Sequence, residues 1–251
     1  MCGRFAASAS EAEYVEVFGI DEVVDTPPVS YNLAPTDAVG AVVERAAKDT
    51  GEVTRKLVTP RWGLVPSWSK SPDGGARMIN ARVETVATKP AFAKAFATRR
   101  CLIPADGFYE WTSAPPALPE ERAPASVSKA RGKPARLPWF VRPADGGPLV
   151  MAGIYDFWKN PDASGPDAWL TSCSIITTTA TDALGHVHDR MPMIVPPESW
   201  DAWLDPHLTD PDAALALLGV HEGQQLEVYR VSTRVNSVRN DGPDLVLPSE
   251  S

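Results

Sequence analysis

Cys101-Leu102-Ile103-Pro104-Ala105-Asp106-Gly107-Phe108-Tyr109-Glu110-Trp111 is a run of apolar and aromatic residues with the composition of a strand that should be largely buried. Runs of the same kind recur along the chain, over residues 39–45, 53–64, 137–142, 149–158, 169–178, 191–195 and 226–232. All are rich in Val, Ile, Thr and aromatic residues, and all read as strands. Helical patterns are fewer. Ser10-Glu11-Ala12-Glu13 is a capping box that opens a short amphipathic helix through Phe18, stopped by Gly19. Residues 90–98, 197–204 and 211–218 each begin with a proline suited to a first helical turn. Strands in series with scattered helices predict an α+β protein. The expected core is a curved, barrel-like, mostly antiparallel β-sheet flanked by short helices, all in one domain spanning residues 2–247.

Residues 113–138 break the pattern, with six prolines, several alanines and no apolar period. They read as a long Pro/Ala-rich loop inserted between two strands, and residues 248–251 as a frayed tail. No apolar run approaches the roughly 18 residues of a membrane span. The amino terminus lacks the pattern of a secretory signal, so a cytoplasmic location is expected. Three widely spaced cysteines, Cys2, Cys101 and Cys173, do not suggest a disulfide framework. Cys101 and Cys173 lie in apolar runs and read as buried, inert thiols.

Charge is unevenly distributed. The chain carries a formal net charge of -8, yet between Arg55 and Arg100 only Asp73 and Glu84 oppose ten Lys and Arg residues. Such a segment is either a solvated face or a local phosphate-binding patch. Trp62 and Trp68 lie inside it, interleaved with Arg61, Lys70 and Arg77, a mixture suited to stacking unpaired bases beside a charged backbone groove.

Three further stretches concentrate functional residue types. Asn80-Ala81-Arg82-Val83-Glu84-Thr85 would, if extended, set Asn80, Arg82 and Glu84 on one face, either toward solvent or lining a site. Glu110 stands between Tyr109 and Trp111. A carboxyl in such surroundings has its pKa raised by desolvation, as a proton donor near neutral pH requires; the alternative is an exposed strand end. His186-Val187-His188-Asp189 contains two of four histidines, but no further histidine or cysteine at ligand spacing, which disfavours zinc. One histidine in a turn, able to shuttle protons, is the more plausible reading.

The chain opens Met1-Cys2-Gly3-Arg4-Phe5. Excision of Met1 would give Cys2 a thiol and a free α-amine on adjacent carbons. With pKa values near ~8.5 and ~7.7–8.0, both nucleophiles exist at neutral pH. A 1,2-aminothiol can condense with an aldehyde to an imine and close to a thiazolidine.

Taken together these stretches resemble the SRAP family of SOS response-associated peptidases, or abasic-site processing proteins. The matching segments are Cys2 to Phe5, Tyr31-Asn32-Leu33-Ala34-Pro35-Thr36, Arg61 to Trp68, Asn80 to Thr85, Ala105 to Trp111 and His188 to Pro192, with Val235-Asn236 and Asn240-Asp241 near the end. The resemblance implies a protein that binds single-stranded DNA and attaches covalently to abasic sites. It carries Cys2 over as nucleophile, Asn80 as the residue orienting it, Glu110 as acid/base carboxyl and His188 as proton-transfer histidine. Arg4, Arg77 and Arg82 would hold phosphates, and Pro35 and Trp68, with Trp62, would meet the bases. No metal or organic cofactor, no membrane and a monomer are expected. A hydrolytic alternative makes Cys2 the nucleophile of a thiol peptidase or amidase, including removal of its own Met1.

Overall fold

The computed structural model describes residues 2–113, 136–180, 182–185, 187–218 and 225–249. Met1, His186, His221 and most of the proline-rich segment lie outside these residues. In chain order the elements are β1 (Phe5–Ala7), α1 (Glu11–Phe18), β2 (Glu22–Val23), β3 (Ser30–Leu33), β4 (Ala41–Ala46), β5 (Val53–Val58), β6 (Arg61–Trp62), β7 (Asn80–Arg82), α2 (Val83–Val86), α3 (Ala93–Thr98), β8 (Arg100–Ala105) and β9 (Gly107–Ser113). There follow β10 (Arg136–Pro143), β11 (Leu149–Lys159), β12 (Trp169–Thr179), α4 (Asp182–Gly185), β13 (Arg190–Pro192), α5 (Trp200–Leu204), α6 (Pro211–Ala216) and β14 (Leu226–Arg230). The α+β class is as expected, with most strand pairs antiparallel. The sheet is not one closed barrel. Two sheets form, one in the order β14-β10-β9-β1-β3 and a larger one in the order β13-β12-β11-β8-β4-β5-β2, with β6 and β7 running parallel to β12.

The split has a local cause. The run from Cys101 to Trp111 is two strands, because the chain turns at Asp106: β8 joins the large sheet and β9 the small one. Gly107 permits the turn. A β-carbon there would sit 2.4 Å from the Val141 carbonyl oxygen.

Alternation along the strands then builds the layers. Phe5, Leu33, Phe108 and Val141 of the small sheet face Val43, Ile103, Met151 and Ile175 of the large one, forming the inner core. The intervening residues of the large sheet, such as Val42, Leu102, Val150 and Ile154, pack outward against Tyr14 and Phe18 of α1, Phe96 of α3 and Trp203 of α5. On the far side, Ala6, Tyr109 and Phe140 are covered by Val231, Val235 and Leu245 of the C-terminal segment.

Local signals read from the sequence are borne out. Ser10 caps α1 through a complete capping box, and Gly19 ends it in the left-handed conformation at φ 61°. β9 and β10 pair antiparallel with Arg136 opposite Ser113, so both ends assigned to the proline-rich segment are strand residues; the rest of that segment lies outside the described residues. The chain is still tied down at Ser249, whose amide donates to the Arg230 carbonyl.

Candidate active site

Cys2 lies just before β1 and is fully buried in the inner core. Its carbonyl accepts a 2.7 Å hydrogen bond from Asn80 Nδ2. Asn80 is delivered by a pinned backbone: β7 runs parallel to β12 with Asn80 opposite Ile175, and Trp62 Nε1 donates to the Ile79 carbonyl at 3.0 Å. Asn80 Oδ1 is also buried and has no hydrogen-bond partner among the described residues. The Cys2 thiol donates a weak 3.8 Å contact to the Arg4 carbonyl, which also accepts from the Tyr109 amide at 2.9 Å. That shared carbonyl ties the start of the chain to the strand carrying Glu110.

Glu110 owes its setting to strand alternation. It follows Tyr109 on β9, so it shares the inner face with Phe108, and its cross-strand partner is Trp139. Tyr109 and Trp111 turn to the opposite face. The expected desolvation is therefore present, but the inner core supplies it and not the two flanking aromatics. Burial raises the Glu110 carboxyl above its ordinary range. Burial raises the Cys2 thiol further, and the Glu110 charge adds to that rise. Two adjacent anions are thereby disfavoured, and the thiol rests protonated.

His188 lies in the turn between α4 and β13. Its Nδ1 accepts from the Arg190 amide at 2.9 Å, and Asp189 Oδ1 lies equally close to Nδ1. The backbone contact is fixed by the chain, whereas Asp189 is exposed, so the two together orient the ring from its Nδ1 side. A cleft of ≈ 800 Å³ opens over these groups, lined by Gly3, Arg4, Pro35, Glu110, Trp111 and His188.

Arg4 is half-buried within the cleft wall. Its Nη1 donates to Asn32 Oδ1 at 2.6 Å and to the Val235 carbonyl at 3.0 Å, and its guanidinium lies 5.9 Å from the Trp111 ring centroid. Asn32 is itself buried, and its Nδ2 reaches the carbonyls of Val235, Ser237 and Asn240 at 3.4, 3.0 and 2.8 Å. One asparagine thus joins Arg4 to the C-terminal segment. Pro35 is held by a tight turn, in which the Ala34 amide donates to Asp37 Oδ2 and the Thr36 amide to the Trp62 carbonyl, both at 2.8 Å. Thr36 adopts φ 81°, a left-handed conformation costly for a β-branched residue and held by those bonds.

The other expected site residues divide. Trp62 is wholly buried and packs edge-on against Phe5 with ring centroids 4.9 Å apart, so it cannot stack on a base. Its place on β6, opposite Cys173, puts it in the core. Trp68, beyond the buried Pro66, is 65% exposed. Arg77 and Arg82 are exposed and form no ion pair among the described residues. None of these four lines the cleft. The basic segment is not one patch: Arg55 pairs with Glu44 and Asp201, Arg99 with Asp156, and buried Arg100 donates to the carbonyls of Phe96, Ala97, Trp203 and Asp205. Glu84 does not share an extended face with Asn80, because α2 begins at Val83; it pairs with Arg190, whose guanidinium holds its carboxyl below the ordinary range. No cluster of three or more His, Cys, Asp or Glu side chains that could hold a metal occurs among the described residues.

Sequence reasoning did not single out Asn32, Asn236 or Arg136. Asn236 Oδ1 accepts from Trp111 Nε1 at 2.6 Å, while its Nδ2 donates to the Arg136 carbonyl at 3.2 Å, which fixes the cleft rim. Both asparagines lie in stretches quoted for the resemblance, but apart from Arg4 their partners lie 100 to 208 residues away, and no local pattern reveals them.

This fold, with a buried second-position cysteine beneath a carboxyl- and histidine-lined cleft, is that of an SRAP protein: the chain belongs to the family described as SOS response associated peptidase (SRAP), matched over residues 1–238. It is 34% identical over 248 residues to YoqW of Bacillus subtilis (strain 168), covering 98% of this chain and 99% of that one, and YoqW is named an abasic site processing protein. It is 31% identical over 254 residues to YedK of Escherichia coli (strain K12), which carries the same description, covering 99% of this chain and 100% of that one. A solved structure of a Bacteroides thetaiotaomicron protein shares the fold with a TM-score of 0.76 at 22% identity, over 99% of this chain and 100% of that one.

Proposed function

We propose that the protein processes abasic sites in single-stranded DNA by forming a covalent thiazolidine crosslink between Cys2 and the ring-opened sugar. The observation that carries the reading is the placement of Cys2: buried, with its carbonyl held by Asn80, directly before Gly3 and Arg4, which line an open cleft together with Glu110 and His188. Removal of Met1 comes first and frees the α-amine. That amine adds to the aldehyde carbon, assisted by a hydrogen bond to Asn80 Oδ1. Glu110 gives a proton to the departing hydroxyl, so that water leaves and an iminium remains. The Cys2 sulfur adds to the same carbon while its proton passes to Glu110 or His188. One C–N and one C–S bond form, one water is lost, and no redox partner is required.

The protonated thiol sets this order. A thiol hydrolase needs a nucleophilic thiolate, and here burial and the Glu110 charge oppose it, so the peptidase reading of Cys2 is not favoured. Three unpaired buried thiols suit a reducing compartment, and we place the protein in the cytoplasm.

The test is adduct formation with an abasic single-stranded oligonucleotide, followed by denaturing electrophoresis. The wild type is expected to give a heat- and detergent-stable adduct, Cys2→Ala none, and a form retaining one residue before Cys2 none. A stable adduct from that blocked form would overturn the aminothiol mechanism.

A further inference from the structure

A second cleft, of ≈ 360 Å³, lies on the other side of the Pro35–Thr36 turn. Pro35 lines the active-site cleft and Thr36 lines this one, so the two clefts approach each other at consecutive residues of one turn. The left-handed φ of Thr36 is what turns the chain between them.

Two arginines on different elements meet here, Arg45 at the end of β4 and Arg61 on β6. Neither forms an ion pair among the described residues, in contrast to the neighbouring Arg55 and Arg99. The Arg45 guanidinium stacks 4.8 Å from the Phe157 ring centroid and 5.5 Å from that of Tyr155, while its buried Nε has no hydrogen-bond partner. Thr36, Thr59 and Thr171 add hydroxyls, and Leu170 and Val58 an apolar wall. One carboxylate, the exposed Asp25, stands at the rim, leaving a net positive charge. Guanidinium groups that lack a carboxylate, one of them stacked on aromatic rings and both beside hydroxyls, match the phosphodiester of a nucleotide unit.

We infer that this cleft is a second subsite for the DNA strand, taking a nucleotide unit of the single strand as it runs past the lesion cleft over the Pro35–Thr36 turn. The inference rests on the proposed DNA-processing role and adds a place for the strand that the lesion chemistry does not use. The volume admits one nucleotide and excludes a duplex. Arg45 and Arg61 would bind the phosphate, with Phe157 holding the Arg45 guanidinium stacked on its ring.

The test uses undamaged single-stranded DNA, so that crosslinking does not enter. Fluorescence polarisation compares a short oligonucleotide that just spans the lesion cleft with one extended by several nucleotides on either side, within the roughly 4–16 nucleotides typical of such grooves. The double variant Arg45→Gln/Arg61→Gln is expected to lose about tenfold in affinity for the extended strand. Its salt slope should fall by about 0.7 for each phosphate contact removed. Binding of the short strand and adduct yield at saturating abasic DNA should stay unchanged. Phe157→Leu, which keeps apolar bulk, should weaken only the extended strand. Equal loss for both lengths, or loss for neither, overturns the proposal. So does tight binding of a free nucleoside monophosphate at this cleft with no effect of strand length. If the wild type shows the length dependence but forms no adduct, the crosslink reading fails and this subsite stands.

Discussion

Asn80 Nδ2 reaches from β7 to the carbonyl of Cys2 at 2.7 Å, so the residue expected to react is positioned through its backbone, not its sulfur. Asn80→Ala removes a bond of about 0.5–1.5 kcal/mol, and the adduct rate should fall by about two- to tenfold from orientation alone. Asn80→Asp should be worse, because a carboxylate would face a carbonyl oxygen. Single-turnover adduct formation at saturating DNA separates these effects from binding. Equal rates in all three proteins would show that the bond positions nothing.

Glu110 carries a carboxyl raised by burial, and the consequence for stability has a definite sign. A raised folded-state value means that the native protein holds this proton more tightly than the unfolded chain does. The stabilising contribution is complete below the ordinary glutamate value of about 4.3 and is lost as pH rises through the folded value. Each tenfold difference in proton affinity between the folded and unfolded chain is worth about 1.4 kcal/mol. Glu110→Gln lacks that loss. Its melting temperature should gain on the wild type as pH rises from acid to neutral, while its adduct rate falls most where solution protons are scarce. Parallel melting curves at every pH would contradict the raised value.

Asn32 gives a prediction about the far end of the chain. Asn32→Ala would remove the Asn32 bonds to the Ser237 and Asn240 carbonyls and one of the two acceptors of Arg4 Nη1, at about 0.5–1.5 kcal/mol for each bond lost. Amide exchange should accelerate over residues 235–240, and affinity for single-stranded DNA should fall as Arg4 loosens. Unchanged exchange there would show that the segment is held by other contacts.

The two tryptophans of the Arg61–Trp68 stretch should separate cleanly. Trp62→Ala empties a core site and should cost about 3–5 kcal/mol of stability. Trp68→Ala should change stability by less than about 0.5 kcal/mol, yet weaken single-stranded DNA by the ~1–3 kcal/mol of one stacked base. Chemical denaturation and fluorescence polarisation on the same pair of variants decide the matter.

Cys101 and Cys173 are buried and their thiols are raised by that burial. Both should resist alkylation in the folded protein at a pH of about 8, just below the ordinary thiol range, and react on unfolding. Intact mass after iodoacetamide treatment would show this. Labelling of either under native conditions would place it nearer the surface than the core packing indicates.

What could be read in advance follows the range of the interaction. The Ser10–Glu13 cap and the Gly19 stop are contacts within one turn, and they appear where the sequence puts them. The strand runs are equally local, but the sheet that each joins is not: one residue, Asp106, divides a continuous apolar run between two sheets. Glu110 reads as a desolvated carboxyl from its place between Tyr109 and Trp111 on a strand expected to be buried, but the register shows that the desolvation comes from the inner core shared with Phe108. Trp62 and Trp68 look alike in a charged segment, and only pairing with β12 tells core from surface. Asn32 ties Arg4 to a segment more than two hundred residues further on, and Asn236 reaches Trp111 and Arg136 a hundred residues or more before it, so no window of sequence contains these partners.

The position of β1 has a mechanical consequence for the proposed crosslink. The strand is bracketed by β9 on one edge and β3 on the other, and Cys2 stands three residues before it. DNA joined at Cys2 would be anchored to an interior strand, not to a trailing arm. Tension on the nucleic acid would load an interior strand of the small sheet, and proteolysis trimming from the opposite end would leave the last peptide, Cys2-Gly3-Arg4-Phe5, still attached to the sugar. Clearing the lesion of protein would therefore demand either collapse of the whole sheet or reversal of the thiazolidine itself.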